Sequence, residues 1–241
     1  MSTKVGKTSN EARIRYIVSV SLFTAFAYVV SVLTGFIKVQ FLTFDAKDCI
    51  IAVGALSLGP VAGALTAALV ALLEFLLSST TGVYGLIMNF ISSATFSVTA
   101  SLIYRARRSF IAAIVGLYSA VLATAGVMML ANYLITPYYM GAPRAAVVSM
   151  MFPLLLPFNL IKALLNASLT LLIYKHITRA LGRVGLLDRR RRSAVLDKSS
   201  ASTSAFPWRT VLISAVAVVL LTAGILVYFL VLDAKIEPFW N

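Results

Sequence analysis

Histidine, cysteine and acidic side chains are scarce in this 241-residue sequence, and their scarcity excludes several classes of protein. The single cysteine, Cys49, cannot form an intramolecular disulfide, and the single histidine, His176, cannot build a zinc site. Only 12% of the residues are charged, about half the share in a soluble protein. The sequence also lacks metalloprotease, nucleophile-elbow and Walker motifs, so no catalytic group stands out.

Apolar residues dominate instead, at 60% of the sequence, and the mean hydropathy is +0.94. These values are typical of a polytopic membrane protein. Most of the apolar runs approach the ~20 residues that a helix needs to cross a bilayer. The seven runs are residues 16–37, 46–58, 60–77, 83–104, 110–135, 152–174 and 210–232. We therefore expect an all-α membrane protein.

The charge distribution predicts the topology. Residues 46–58 and 60–77 are separated by Gly59-Pro60, so they could form two spans or one kinked span. With two spans and the N-terminus inside, 16 of the 21 Lys and Arg residues lie on the inner side. A merged span would reverse everything after it and place 14 of them outside, against the positive-inside rule. The sequence therefore predicts seven spans, with the N-terminus inside and the C-terminus outside.

Three parts follow from this topology. Residues 1–183 form the main membrane domain. Residues 184–207 are basic and Ser-rich, which indicates a flexible linker on the inner side. Residues 208–241 form an additional transmembrane helix and a short outer tail.

Lys162 is the most informative polar residue, because a lysine in mid-membrane costs about 2.5–3.5 kcal/mol. It needs a partner, a cavity or a route to the interface. Asn159 and Asn166 lie three residues before it and four after it, so all three share one helix face. Glu74 is the only obvious carboxylate partner, and this pairing stays open. Asp45 and Asp48 lie close together in an outer loop, where they are more typical of a solvated helix start than of an acid–base pair.

Other amides and aromatic rings are predicted near the same outer side. They are Asn89, Asn132, Tyr133, Phe44 and Phe158. Amides, an ammonium group and planar rings together suit a flat heteroaromatic ligand with carbonyls and ring nitrogens. Taken singly, each residue has a simpler explanation: tyrosines form interfacial belts, asparagines bridge helices and lysines snorkel.

Several stretches resemble the substrate-binding S components of energy-coupling factor (ECF) vitamin transporters, and among them the riboflavin-specific RibU type. The resemblance covers residues 12–180. The stretches are SLFTAFAYVVS (21–31), FLTFDAKD (41–48), ALSLGPVAG (55–63), TGVYGLIMNF (81–90), MLANYLITPYY (129–139) and PFNLIKALLNASLTLLIYK (157–175).

The resemblance implies a six-helix S-component bundle in a bacterial cell membrane, which the extra C-terminal helix would extend. It implies that Asn132, Asn159 and Lys162 bind the riboflavin ring, and that the loop from Phe44 to Asp48 helps to close the site. Riboflavin would be the transported ligand, with no cofactor.

The implied partners are one transmembrane coupling subunit and two ATPase subunits, with membrane lipid around the bundle. No nucleic-acid partner is expected, because the basic residues lie between apolar runs and form no stripe with interleaved aromatics. Ser21 and Ala25 lie where the family carries its small-residue docking face. Three rival functions remain: an S component for another vitamin or precursor, a membrane-embedded lipid-modifying enzyme, and a structural or signalling membrane protein whose polar residues only pack helices.

Overall fold

A computed structural model describes residues 3–35, 37–39, 42–78 and 81–184. In this part of the chain, helices form nearly the whole structure. The helices are α1 (Thr3–Thr34), α2 (Lys47–Leu58), α3 (Pro60–Leu77), α4 (Gly82–Arg107), α5 (Phe110–Met140), α6 (Arg144–Met150) and α7 (Leu156–Val184). A short antiparallel hairpin of β1 (Ile37–Val39) and β2 (Leu42–Phe44) links α1 to α2.

Five of the helical segments are long and apolar enough to cross a membrane. They are Asn10–Thr34, Pro60–Leu77, Gly82–Arg107, Phe110–Met140 and Arg144–Tyr174. Less than half of the most apolar window of each segment is buried inside the bundle. Their outward faces carry large apolar side chains such as Ile111, Leu122 and Phe152, as expected for surfaces that meet lipid. The prediction of a multi-pass, all-helical membrane protein is confirmed.

Helix α2 differs from these five segments. Its 12 residues extend only about 18 Å, less than the ~30 Å hydrocarbon core of a bilayer. Every residue from Lys47 to Ser57 is buried, and α1, α3, α4 and α7 surround the helix. Helix α2 is therefore the interior element on which the bundle packs.

A glycine separates α2 from α3. Gly59 has a φ of +115°, a conformation that favours glycine, and Pro60 then begins α3. The two apolar runs thus form separate helices, as predicted, and not one kinked helix. They pack closely: a Cβ added to Gly63 would lie 2.7 Å from the Cβ of Ala55. The small side chains at these two positions let α2 and α3 approach closely.

The last described span begins earlier than the sequence predicts. Helix α6 passes into α7 through a π-helical turn, Met151–Leu155. Pro153 and Pro157 lie in and just after this turn, and prolines lack the N–H that a regular α-helical ladder needs. If α6, the π-helical turn and α7 are taken as one rod, the described residues contain six helices. The predicted linker beyond Val184 and the predicted helix in residues 208–241 lie outside the described residues, so the seven-span topology stays a prediction.

Candidate ligand-binding site

A cavity of about 340 Å³ lies between the hairpin and helices α1, α2, α3, α4, α5 and α7. Its volume is at the lower end of the ~300–1,000 Å³ that small-molecule sites occupy. Its polar lining includes Ser31, Asp45, Lys47, Glu74, Asn89, Asn132, Thr136, Asn159 and Lys162. Its aromatic lining consists of Phe75, Tyr84, Tyr139 and Phe158. The cavity thus combines flat apolar surface with hydrogen-bonding groups.

Lys162 is buried beside this cavity and is paired with an acid. Its Nζ donates a hydrogen bond of 2.9 Å to Oδ2 of Asp45, and it lies 3.5 Å from the carbonyl oxygen of Thr43. Lys162 is in α7, whereas Asp45 follows β2 directly. The ion pair therefore ties the hairpin and the start of α2 to α7.

A second ion pair lies on another wall of the cavity. The Nζ of Lys47, in the first turn of α2, is 2.7 and 2.6 Å from Oε1 and Oε2 of Glu74 in α3. Asn89 Nδ2, in α4, donates to Oε2 over 2.9 Å, and the Ser31 hydroxyl, in α1, donates to Oε1. One carboxylate thus joins four helices.

These two pairs form a single charged row. Lys47 Nζ is 3.6 Å from Asp45 Oδ2, so the charges alternate in the order Lys162, Asp45, Lys47, Glu74. Burial raises the pKa of the Asp45 carboxyl, but the ammonium groups of Lys162 and Lys47 outweigh burial and hold that pKa below its usual value. The two cations and two anions cancel, so the lining formed by the described residues carries no formal net charge.

The charged row corrects the predictions for the acids. Asp45 and Asp48 are only 3% and 4% exposed, so the solvated helix start predicted for them is wrong. The bundle encloses the short helix α2, and the acids bond to groups from distant segments: Asp45 to Lys162, and Asp48 to the Ser93 hydroxyl. Lys47 is buried too, although its position in an outer loop predicts exposure. Glu74 pairs with this lysine and not with Lys162.

Asn166 lies on the same polar face of α7 but does not line the cavity; it bonds instead to the backbone at the start of α2. It is fully buried, accepts a 2.8 Å hydrogen bond from the backbone N–H of Cys49, and donates to the carbonyl of Asp45 over 3.1 Å. These bonds satisfy backbone groups at the start of α2. Asn159 and Lys162 line the cavity, whereas Asn166 fixes the segment that carries Asp45 and Lys47.

The predicted amides lie on three helices around the cavity. Asn132, in α5, donates from Nδ2 to the Met128 carbonyl at 2.7 Å and accepts from the Thr136 hydroxyl at 2.8 Å. Asn159, in α7, donates from Nδ2 to the Leu155 carbonyl at 2.8 Å. These bonds to neighbouring turns fix the orientation of each amide at the cavity wall.

Two of the eight predicted binding residues do not line the cavity. Phe44 is buried, and its ring packs edge to face with that of Phe158, with 6.3 Å between the ring centroids. Tyr133 is partly exposed on α5, and the guanidinium carbon of Arg144 lies 5.9 Å from its ring centroid. The other six, Asn132, Asn159, Lys162, Asp45, Asn89 and Phe158, do line the cavity.

The sequence does not single out several other lining residues, chiefly Lys47, Ser31 and Tyr84. Tyr84 meets Tyr139 edge to face, at 6.5 Å between centroids, and together they add aromatic surface from α4 and α5. The sequence does hold one signal for Lys47. This lysine lies at the start of an apolar run too short to span a membrane, and a lysine in that position needs an acidic partner.

The predicted docking residues lie away from the cavity. Ser21 and Ala25 are exposed on the outward face of α1, while Phe23 and Ala27 on the opposite side are buried in the core. A small-residue face open to the surroundings lets another helix approach closely. Their role in partner docking stays a prediction.

Comparisons with known proteins agree with this architecture. The family described as "ECF transporter, substrate-specific component" matches residues 15–174. The curated "Riboflavin transporter RibU" of Staphylococcus aureus (strain TCH60) is 29% identical over 180 residues, which cover 70% of this chain and 93% of that protein. A solved structure described as the S component of a bacterial ECF transporter is 27% identical, with a TM-score of 0.60. The match covers 70% of this chain and 98% of that one.

Proposed function

Because the chain belongs to the family of substrate-specific components of ECF transporters, we propose that its cavity captures riboflavin from outside the cell for uptake. The family is one of transporters and not of enzymes. The riboflavin assignment is supported by the similarity to the RibU riboflavin transporter and by the chemistry of the cavity.

The observation that carries the proposal is a cavity lined by aromatic rings and by a charged row with no formal net charge. Riboflavin is uncharged. Its flat ring system carries carbonyls, ring nitrogens and an imide N–H, and its ribityl chain carries hydroxyls. Aromatic walls fit the ring, and ammonium, carboxylate and amide groups fit the polar atoms. A strongly anionic vitamin would leave the balanced row with an uncompensated charge, which favours riboflavin over such ligands.

In this proposal, each group of residues has a different role in riboflavin binding. Lys162, Asn159 and Asn132 bind the polar edge of the ring, Phe158 provides a planar wall, and Asn89 borders the opposite side. The hairpin, with Phe44 and Asp45 at its end, closes the site after the ligand has entered. Tyr133 acts from the rim, beside the cavity.

Uptake requires partners that supply energy. We propose that a transmembrane coupling subunit docks on the face of α1 with Ser21 and Ala25, and that two ATPase subunits drive the cycle. We further propose the topology with the N-terminus inside and the C-terminus outside. Residues 1–183 then form the binding domain, residues 184–207 the inner linker, and residues 208–241 an additional membrane helix.

Riboflavin binding tests the proposal directly. The detergent-purified full chain is titrated with riboflavin, whose fluorescence falls when the ring enters a protein site, and an absorption spectrum records any flavin that copurifies. Unlabelled vitamins of other classes are then added as competitors. We expect saturable quenching that only flavins reverse. The absence of both quenching and copurified flavin would refute the riboflavin assignment, and displacement by another vitamin would reassign the ligand.

A further inference from the structure

Asp45 combines three properties that a purely structural acid does not need. It is only 3% exposed, it borders the cavity, and its Oδ1 is a buried oxygen that accepts no hydrogen bond within the described part of the chain. A buried polar atom without a partner costs free energy, and the cost is larger for a charged group. The other oxygen, Oδ2, is held by Lys162 at 2.9 Å, so the carboxylate is fixed in place.

We infer that Asp45 is a specificity-determining residue that accepts the imide N–H of the flavin ring while Lys162 donates to a neighbouring carbonyl. The inference rests on the proposed function and specifies that Asp45 and Lys162 recognise the imide edge of the ligand.

The geometry of the ion pair supports this assignment. Lys162 Nζ donates to Asp45 Oδ2 over 2.9 Å, so an ammonium donor lies beside a carboxylate whose other oxygen, Oδ1, has no partner among the described residues. The imide edge of the flavin presents the complementary pattern, an N–H between two carbonyls. A carboxylate accepts hydrogen bonds but cannot donate them, so a ring nitrogen without hydrogen would be rejected at this position.

The charged row also explains why Asp45 remains an acceptor. Two ammonium groups, those of Lys162 and Lys47, lie 2.9 and 3.6 Å from its Oδ2. Both favour the ionised carboxylate. The nearby Asp48 is as deeply buried, but it accepts from the Ser93 hydroxyl and does not line the cavity. Asp48 is therefore a matched control for the loss of a buried acid.

The test combines a ligand change with a residue change. The ligands are riboflavin and N3-methylriboflavin, in which a methyl group replaces the imide hydrogen. Fluorescence titration measures both on the wild type, Asp45→Ala, Asp45→Asn and the control Asp48→Asn. We expect methylation to weaken binding to the wild type and to Asp48→Asn by about 10- to 150-fold, the loss of a hydrogen bond to a charged group. We expect this ratio to shrink to below about threefold in Asp45→Ala, with Asp45→Asn between the two.

Two results would overturn the inference while riboflavin binding stands. One is equal binding of the two ligands by the wild type, which needs no variant to fold. The other is a methylation penalty that stays the same in Asp45→Ala or Asp45→Asn, since the penalty would then arise from another contact. A wild type that binds neither ligand would instead overturn the proposed function, and this inference with it.

Discussion

Replacing Lys162 by methionine tests the centre of the site, because methionine keeps most of the length of lysine and removes its charge. A hydrogen bond from a charged donor to a ligand contributes about 1.5–3 kcal/mol. Since each 1.4 kcal/mol changes an affinity tenfold, we expect Lys162→Met to bind riboflavin about 10- to 150-fold more weakly. Fluorescence titration of the purified variant measures this change.

The same substitution also affects folding, because it removes one partner of a buried ion pair. Such a loss costs about 3–5 kcal/mol when the remaining charge has no other partner. Asp45 keeps Lys47 at 3.6 Å from its Oδ2, so we expect a cost near the lower end, about 3 kcal/mol. Thermal unfolding in detergent, without ligand, measures this loss of folding stability separately from the loss of binding.

Two controls separate the two effects. Arg107→Met removes an exposed positive charge at the far end of α4, outside the cavity lining, and should change neither riboflavin affinity nor unfolding. The double variant Lys162→Met with Asp45→Asn also removes the carboxylate that has lost its nearer partner, so it should regain stability without regaining affinity. A folded Lys162→Met protein with wild-type affinity would refute the role given to this lysine.

Three further predictions follow from other contacts. The double variant Lys47→Met with Glu74→Leu should unfold at or above the wild-type temperature, whereas Glu74→Leu alone should lose about 3 kcal/mol, because it leaves the buried Lys47 with only its 3.6 Å contact to Asp45. Thermal unfolding measures both, and equal losses would contradict this reasoning. Gly63→Val should cost about 1–3 kcal/mol by overpacking α3 against α2, while Gly126→Ala, where an added Cβ meets no atom within 4 Å, should not. Ala25→Trp should leave riboflavin binding intact but abolish ATP-driven uptake in vesicles that contain the partner subunits; normal uptake would exclude docking at this face.

The sequence predicts the helices well because lipid imposes one simple requirement. Every spanning segment must be long, apolar and internally hydrogen-bonded, so it can be recognised in the sequence as a long apolar run. The break at Gly59-Pro60 is predictable for a similar reason, since proline is favoured in a first helical turn and glycine at a positive φ. The π-helical turn at Met151–Leu155 is not predictable in this way, because it depends on how two prolines are accommodated in a packed rod.

The site is only partly predictable, and the reason lies in α2. A mostly apolar segment of 12 residues looks like a short span or a loop flank, so its polar first turn appears solvated. Only the fold shows that the bundle encloses this turn and brings Asp45 to Lys162, a residue 117 positions away. Lys162 itself is identifiable because a lone lysine in an apolar helix is costly wherever it lies. The acid that pairs with Lys162 cannot be identified from the sequence, because several acids are candidates until the fold is known.

The charged row is hard to explain by stability alone. Buried ion pairs are often no more stabilising than apolar side chains of the same size, so four buried charges are a poor way to hold a bundle together. Their placement is better explained by ligand binding. The row draws its members from α7, from the segment after the hairpin, from α2 and from α3, and all four border the cavity. Lys162 bonds to Asp45 and to the Thr43 carbonyl, so the ion pair that borders the cavity is also the one that holds the hairpin to α7.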